Sequence, residues 1–351
     1  MNLFPKHIML NGVRVSTNDL IKHKKPETDR EVDFTDFLKE WYSDKKYIEA
    51  KTSGSTGTPK RIRLQKEFVA ESARRTLQFF ALKKTDRILH CLPMQYIAGK
   101  LMVVRALLGE LDLYLTEPST DFAFLKNKKF RFAAMVPNQV AKILKAEAAP
   151  GELLNKIEQL LLGGSSIPAS LEMALQNVST HCWSGYGMTE TATHIALRKI
   201  NGSGADGWYH CLENISVNLS AKGCLQISMP GLENQPLPTT DLAELKDEKT
   251  FRILGRIDNV IISGGIKFSP EQLEKKLEPF ISKPFLISSL PHESLGQQLT
   301  LVVEGKENKE TTEKLKEICK KQLGRYEQPK QILVKDKLPR LPNGKFNRRE
   351  T

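Results

Sequence analysis

The sequence predicts an α/β protein: a large N-terminal domain of β-sheets flanked by helices and a small α+β C-terminal domain. Between residues 67 and 175, short apolar runs alternate with segments of helical periodicity, which is typical of a sheet covered by helices. Glycines punctuate short β-like runs after Asn201, and a separate strand–helix series follows residue 258. A length of 351 residues fits about two domains. We expect these domains to span residues 1–257 and 258–351.

The elements of the larger domain follow from spacing. Val69, Ala73 and Leu77 recur at helical intervals, and Pro137 suits the first position of a helix. Short apolar runs that are bounded by polar residues predict buried strands. The predicted order is helix 67–82, strand 88–92, helix 98–108, strands 111–115 and 132–136, helix 137–148, strand 160–162 and a helix opened by Pro168.

The C-terminal part has a different character. A strand at 224–228 lies among glycines and predicts a small antiparallel subdomain. The predicted order beyond it is strand 260–263, helix 270–277, strands 285–289 and 299–303, helix 309–323 and strand 331–334. This series predicts a self-contained α+β domain.

Composition excludes several protein classes. The 40% hydrophobic content is that of an ordinary globular chain, and no apolar run approaches the roughly 18 residues of a membrane span. The N-terminus lacks the pattern of a signal peptide, so we expect a cytoplasmic protein. Five cysteines without a C-x-x-C pair indicate reduced thiols, mostly in the core.

The net charge of +12 is uneven. Residues 321–351 hold nine Lys/Arg and three Asp/Glu, a net of +6 and half of the excess. Such a tail is compatible with a solvated surface, with a nucleic-acid patch or with a surface that covers a polyanionic ligand. Charge alone does not decide among these.

The strongest local signal is a loop of small, hydroxylic residues that ends in a lysine. Its residues are Thr52, Ser53, Gly54, Ser55, Thr56, Gly57, Thr58, Pro59 and Lys60. Glycines let backbone N–H groups turn towards an anion, hydroxyls add donors and the lysine adds charge, which favours a phosphate site. The spacing is not that of a Walker A loop, because Lys60 follows a proline. A flexible linker is the alternative.

Three later segments occur in the order found in one superfamily. They are Gly185–Glu190 (GYGMTE), Gly255–Asn259 leading into Ser263–Gly265, and Leu341–Lys345 (LPNGK). Together with the loop, they resemble the adenylate-forming acyl- and aryl-CoA ligases, adenylation domains and luciferases. The resemblance implies an AMP-forming acid–CoA ligase that uses ATP, Mg²⁺ and coenzyme A.

Within the superfamily, the short length and the run 188–198 (MTETATHIALR) resemble the o-succinylbenzoate–CoA ligases of menaquinone biosynthesis. The expected partners are an aromatic or acyl carboxylic acid, ATP and CoA, without nucleic acid or a membrane span. Alternatives are another aryl- or acyl-CoA ligase, an adenylation domain that loads a carrier protein, and a non-catalytic basic nucleic-acid-binding or scaffold protein.

The resemblance implies roles residue by residue. Lys345 matches the catalytic lysine, and Glu190 matches the Mg²⁺ ligand beside Thr189, at the end of a predicted Gly-Tyr-Gly turn. ATP binding is implied for residues of the loop and of later motifs: Thr52, Ser53, Gly54, Ser55, Thr56, Gly57, Lys60, Gly164, Ser165, Gly185, Tyr186, Gly187, Met188, Asp241 and Arg256. The remaining assignments are the acid pocket (Tyr96, Gly163, His194), the CoA tunnel (Gly264, Gly265) and the hinge (Asp258).

Three departures from the superfamily pattern affect the expectations. Only 51 residues precede Thr52, so an N-terminal layer is missing or reduced, and the sheet face it leaves is a candidate homodimer contact. Tyr96 stands where many members have histidine, and Thr240 replaces the glycine before Asp241. An aryl dicarboxylate would need a cation for its second carboxylate, and the candidates are Lys100, Arg105 and His194.

Overall fold

The computed structural model describes residues 2–23, 25–52, 60–118, 121–306, 308–340, 346–348 and 350. The chain divides into two compact units. The first comprises Met1–Ile167, Leu171–Ile215 and Pro230–Glu233, and the second comprises Pro168–Ser170, Ser216–Met229 and Asn234–Thr351. The predicted α/β class is confirmed. The boundary at residue 258 stays a prediction, because compactness does not show which segments move together.

The first unit contains a mostly parallel sheet and a separate hairpin. Its strands are β1 (His7–Leu10), β2 (Val13–Ser16), β3 (Tyr47–Lys51), β4 (Arg61–Gln65), β5 (Arg87–His90), β6 (Asp112–Leu115), β7 (Phe130–Met135), β8 (Ile157–Leu162), β9 (His181–Met188), β10 (Thr193–Lys199) and β11 (Tyr209–Cys211). The sheet order is β11-β10-β9-β8-β7-β5-β6-β1-β2, whereas β3 and β4 pair only with each other. Parallel pairs join β9, β8, β7, β5, β6 and β1, and these central strands are apolar because helices cover them.

The helices of this part of the chain are α1 (Thr17–Lys22), α2 (Asp29–Tyr42), α3 (Lys66–Phe79), α4 (Ile97–Gly109), α5 (Pro137–Ala146) and α6 (Ala169–Leu175). Helix α4 is apolar on all sides and is almost wholly buried. One apolar core cluster lies between β5, β7, β8 and α5 and includes Leu89, Met135, Val140 and Leu160. Each helix and strand predicted from residue 67 to residue 175 is present.

The residues before the phosphate loop join this sheet. Strand β1 pairs in parallel with β6, and helix α2 buries Phe34, Phe37, Leu38 and Trp41. Thr28 caps α2, since its hydroxyl accepts a hydrogen bond from the backbone N–H of Glu31 at 3.2 Å. Strand β1 therefore extends the sheet beyond β6, and helix α2 adds buried apolar side chains from the part of the chain before the phosphate loop.

Within the described residues, the second unit has an antiparallel four-stranded part, a mixed five-stranded sheet and two helices. Its elements are β12 (Ser216–Leu219), β13 (Cys224–Ser228), β14 (Leu237–Asp247), β15 (Thr250–Arg256), β16 (Ile261–Ser263), β17 (Ile266–Phe268), α7 (Pro270–Leu277), β18 (Phe285–His292), β19 (Gly296–Glu304), α8 (Lys309–Gln322) and β20 (Gln331–Lys335). Strands β12 to β15 pair in sequence, and a second sheet has the order β17-β16-β19-β18 with β20 on β19. Helices α7 and α8 cover one face of that second sheet through Leu273, Leu277, Leu315 and Cys319. The predicted α+β series is confirmed.

Among the helices in the described ranges, none combines the length and the apolar character that crossing a bilayer requires.

Candidate functional site

The predicted phosphate loop connects the two strands of the β3–β4 hairpin. The final hairpin pair is Lys51 with Arg61, and directly beyond it the backbone N–H of Thr52 donates to the carbonyl of Lys60 at 2.8 Å. The Lys60 N–H donates in turn to the Thr52 hydroxyl at 3.0 Å. Residues 53–59, with the predicted ligands Ser53, Gly54, Ser55, Thr56 and Gly57, lie outside the described residues. The hairpin thus brings the two ends of the motif together.

The Gly-Tyr-Gly segment is strand and not the predicted turn. Residues 185–188 end β9, where Gly187 pairs with His194 of β10. A Cβ atom on Gly187 would lie 2.6 Å from the Cα of His194, so only glycine allows this approach. The sequence suggested a turn because of the two glycines, but here one of them serves a close contact between strands.

The turn itself is formed by Thr189–Thr191, a single 3₁₀ turn that connects β9 to β10. The fully buried Thr191 hydroxyl accepts from the Met188 N–H at 3.0 Å and donates to the Thr193 carbonyl at 2.6 Å. Ser72 of α3 donates to the Ala192 carbonyl at 2.7 Å. Glu190 is exposed at the tip of this braced turn. The sequence reasoning missed Thr191 and Ser72, whose roles depend on distant partners.

Residues 163–165 form a turn at the end of a strand. It follows β8, whose last residue, Leu162, pairs with Ser184 of β9. The Gly163 N–H donates to the Met135 carbonyl at 3.1 Å, and Gly164 has φ +85°, a left-handed conformation that favours glycine. Gly164 and Ser165 are exposed. They lie at the carboxyl end of β8, the edge of a parallel sheet at which ligands bind.

Tyr96 lies at the start of α4, next to the base of the phosphate loop. It is the N-cap residue of the helix and forms a parallel bridge with Lys51. A Cβ on Gly99, in the first turn, would lie 2.8 Å from the carbonyl carbon of Pro93. This close approach holds the Pro93–Tyr96 segment against the helix. Tyr96 is half-buried.

The three candidate cations differ in their burial and in their hydrogen-bond partners. The ammonium of Lys100 is held by the carboxylate of Glu40 and by the Glu49 carbonyl, the latter at 2.7 Å. Arg105 is 2% exposed, its Nη1 donates only weakly towards the Met102 sulfur at 3.4 Å, and its Nε has no hydrogen-bond partner in the described part of the chain. Burial lowers the pKa of Arg105 to about 9. The structure thus places the charge of Arg105 in the core.

His194 is a buried, neutral imidazole. It is 8% exposed, and its Nε2 and Nδ1 lie 3.4 Å from the hydroxyls of Thr76 and Thr193, respectively. Burial, together with the nearby Arg105 and Arg75, lowers the pKa of His194 to about 3. The same causes lower the pKa of His90, which lies against Arg30 and Arg105. His194 therefore offers hydrogen bonds and no positive charge at neutral pH.

In the second unit, the structure brings Asp241 and Arg256 together. The two residues pair across β14 and β15, with Arg256 Nε 3.8 Å from the Asp241 carboxylate. The guanidinium also reaches Asp258 at 3.3 Å and donates to the hydroxyl of Thr240. Thr240, which stands where the superfamily has glycine, therefore accepts a hydrogen bond from Arg256. An aligned acid and base at a strand end suit the recognition of neighbouring hydroxyl groups.

The other predicted positions of this unit lie at turns. Gly264 and Gly265 join β16 to β17 in a tight turn with φ values of +56° and +82°. Asp258 belongs to the 3₁₀ turn Ile257–Asn259 between β15 and β16. Lys345 lies outside the described residues.

The described residues contain no group of three or more His, Cys, Asp or Glu side chains placed to hold a metal ion. Glu190 is a single exposed carboxylate with Thr189 beside it. This donor set fits Mg²⁺, which binds proteins through one or two carboxylates while substrate phosphates and water complete its shell.

Residues 51–213 match the family of AMP-binding enzymes. An AMP-forming acyl-CoA synthetase/AMP-acid ligase II-like protein from Dyadobacter fermentans is 33% identical, with a TM-score of 0.64 over 96% of this chain and 97% of that one. The o-succinylbenzoate coenzyme A synthetase of Bacillus subtilis, solved with ATP and a magnesium ion, is 22% identical and has a TM-score of 0.72 over 86% and 69% of the two chains, which shows the fold.

Among curated proteins, a 2-succinylbenzoate–CoA ligase of Haemophilus influenzae is 27% identical over 79% of this chain and 64% of its own length. The corresponding ligase of Listeria monocytogenes is 27% identical over 85% and 68%. The chain thus spans about two thirds of the length of these relatives. The near-complete overlap with the Dyadobacter protein, together with the AMP-binding match, leads to one conclusion: the chain belongs to the AMP-binding, adenylate-forming ligase family.

Proposed function

We propose that this protein is an ATP-dependent acid–CoA ligase and that its substrate is o-succinylbenzoate. In the first half-reaction the acid carboxylate attacks the α-phosphate of ATP, which forms an acyl-adenylate and releases pyrophosphate. In the second, the CoA sulfur attacks the acyl carbon, the thiol proton is lost and AMP leaves. The ligase names of the curated relatives and the AMP-binding match support this reaction class.

The observation that carries the choice of substrate is Arg105. In the described part of the chain no acid bonds to the buried guanidinium of Arg105, and a buried charge of this kind has a strong preference for an anion. Lys100 already has Glu40, and His194 is neutral, so Arg105 is the one of the three candidates left to hold the second carboxylate of an aromatic dicarboxylate. Benzoate, with one carboxylate, would leave it unpaired.

The remaining roles are carried over from the family resemblance. Lys345 would neutralise the negative charge that develops as pyrophosphate leaves. Mg²⁺, held by Glu190 and Thr189, would offset phosphate charge when bound. The exposed Gly164 and Ser165, with residues 185–188, would border the nucleotide, and Tyr186 would stack on the adenine.

In the second unit, Asp241 and Arg256 would contact the ribose hydroxyls, and Gly264 and Gly265 would line the path of the CoA arm. Asp258 would be the hinge of a domain spanning 258–351, which would leave residues 1–257 as the adenylation domain. The predicted cytoplasmic location, the homodimer and the absence of nucleic-acid binding stay predictions.

The test is pyrophosphate release from ATP with o-succinylbenzoate, measured with and without CoA. We expect release that depends on the acid, and a thioester only when CoA is present. Benzoate and other aromatic monocarboxylates serve as controls and should react poorly. Equal rates with benzoate would favour another aryl-CoA ligase, and no release with any acid would refute the ligase reaction.

Replacing Lys345 with alanine separates the half-reactions. We expect Lys345→Ala to abolish pyrophosphate release but to spare thioester formation from pre-formed acyl-adenylate, because only the first step expels pyrophosphate. Equal loss of both half-reactions would contradict this role.

A further inference from the structure

The chain on both sides of residues 341–345 is anchored in the second unit. Arg340 and Phe346 form an isolated antiparallel bridge, with the Arg340 guanidinium 4.4 Å from the centre of the Phe346 ring. The Asn347 N–H donates to the Pro339 carbonyl at 2.8 Å. Phe346 packs against the small apolar cluster of Leu286, Val302 and Leu338 on the second sheet.

Arg348 makes the strongest of these attachments. Its Nη1 donates to Glu274 Oε1 at 2.7 Å, and its Nη2 donates to Glu274 Oε2 at 2.5 Å. The side chains of Arg348 and Glu274 are 22% and 19% exposed, respectively, so solvent screens the pair little.

The pair is also tied to the sheet. Arg348 Nη1 donates to the Ile287 carbonyl at 2.9 Å, and the Ile287 N–H donates to Glu274 Oε1 at 2.7 Å. Helix α7, strand β18 and the C-terminal segment therefore meet at one closed network of four hydrogen bonds between Glu274, Ile287 and Arg348.

We propose that Glu274 and Arg348 are positioning residues for Lys345, a proposal that rests on the proposed function. The ion pair anchors the chain three residues after Lys345, and the Arg340–Phe346 bridge closes the segment that contains it. A lysine side chain has four rotatable bonds, so its charge reaches a defined point only if its backbone is held. The described contacts of Glu274 and Arg348 are all within the second unit, which makes their effect on chemistry indirect.

The test compares the two half-reactions in Arg348→Ala, Arg348→Lys and Glu274→Gln. Misplacement by about 1 Å costs roughly 100-fold in rate, so we expect pyrophosphate release to fall about 100-fold in Arg348→Ala and Glu274→Gln. Thioester formation from supplied acyl-adenylate should stay within about twofold, since the lysine serves the first step. Arg348→Lys keeps the charge and should recover part of the rate.

The matched control is Glu327→Gln. It breaks the Lys276–Glu327 pair, which also involves helix α7 and has an N–O distance of 2.6 Å, without touching residues 340–348. We expect both half-reactions of this variant to match those of the wild type. Equal losses of both half-reactions in Glu274→Gln and Arg348→Ala would mean a merely structural pair and would overturn the proposal, as would unchanged rates.

Trypsin cleavage after Lys345 gives a readout that needs no activity. Release of the anchor should speed this cleavage at least about tenfold in Glu274→Gln and Arg348→Ala, but not in Glu327→Gln, because protection follows the population of the opened segment. If the wild type releases no pyrophosphate with any acid, the proposed function fails, whereas the cleavage rates still decide whether the anchor exists. Unchanged cleavage in both variants would overturn the anchor.

Discussion

Replacing Arg105 with methionine tests the free-energy cost of the buried guanidinium in the first unit. The side chain is 2% exposed, and its Nε has no partner among the described residues. Burial lowers its pKa from 12.5 to about 9. That shift corresponds to about 5 kcal/mol of unfavourable free energy for the charged form in the absence of a ligand. Methionine fills a similar space without the charge.

We therefore expect Arg105→Met to stabilise the ligand-free protein. Allowing for relaxation of the site, the free energy of unfolding should rise by about 3 kcal/mol. For a unit of this size, the melting temperature should rise by roughly 6–12 °C. The same variant should lose affinity for o-succinylbenzoate by roughly 2–5 kcal/mol, at least about 30-fold in Kd.

The assay is thermal unfolding with and without the acid, combined with calorimetric titration of the acid. Lys100→Met is the matched control from the same helix: it leaves the Glu40 carboxylate without its ammonium partner, so it should lower the melting temperature. An Arg105→Met variant that melts lower than the wild type, or that binds the dicarboxylate equally well, would refute the reasoning.

Three further predictions concern the β9–β10 hairpin. His194 has a pKa of about 3 in the folded state and 6.5 in the unfolded state, so the unfolded state binds the proton first as the pH falls. The free energy of unfolding should therefore be full above pH 6.5 and fall by up to about 5 kcal/mol towards pH 3. Acid titration of unfolding should show a smaller fall in His194→Asn. Gly187→Ala should destabilise the protein by about 3 kcal/mol in urea unfolding, because the new Cβ would lie 2.6 Å from the Cα of His194. An unchanged urea midpoint would contradict this packing. Thr191→Val should lower the free energy of unfolding by about 2 kcal/mol in the same assay and raise the KM for Mg-ATP, since the Thr191 hydroxyl braces the turn that carries Glu190. An unchanged KM would show that this turn has no part in nucleotide binding.

Much of the fold followed from the sequence because periodicity is a local property. The alternation of apolar strands and amphipathic helices from residue 67 to residue 175 predicted α3 to α6 and the strands between them. Strand β14 and helix α2 were missed. The former is half-buried and mixes polar with apolar residues, and the latter is largely polar with a narrow buried face. The strand is stabilised by the strands that it pairs with and the helix by the residues that it packs against, and local composition shows neither.

The candidate site was predictable where a motif is continuous. The spacing of glycines and hydroxyls located the phosphate loop, whose two ends the β3–β4 hairpin joins. The positions of Gly264 and Gly265 came from the family motif, and the structure shows a tight turn there. The turn at 185–187 was wrong, because glycine permits both a reversal and a close contact between strands, and local sequence does not distinguish the two.

The sequence by itself determined the class of fold, the order of the motifs and the family, since each of these depends on residue types at fixed separations along the chain. Only the tertiary structure decided which charges have partners. Lys100 and Arg105 lie five residues apart on one helix, yet Glu40 reaches the first and no described carboxylate bonds to the second. Burial and electrostatic pairing arise from residues that folding brings together across the chain. For this reason the sequence did not choose among Lys100, Arg105 and His194, whereas the structure distinguishes them.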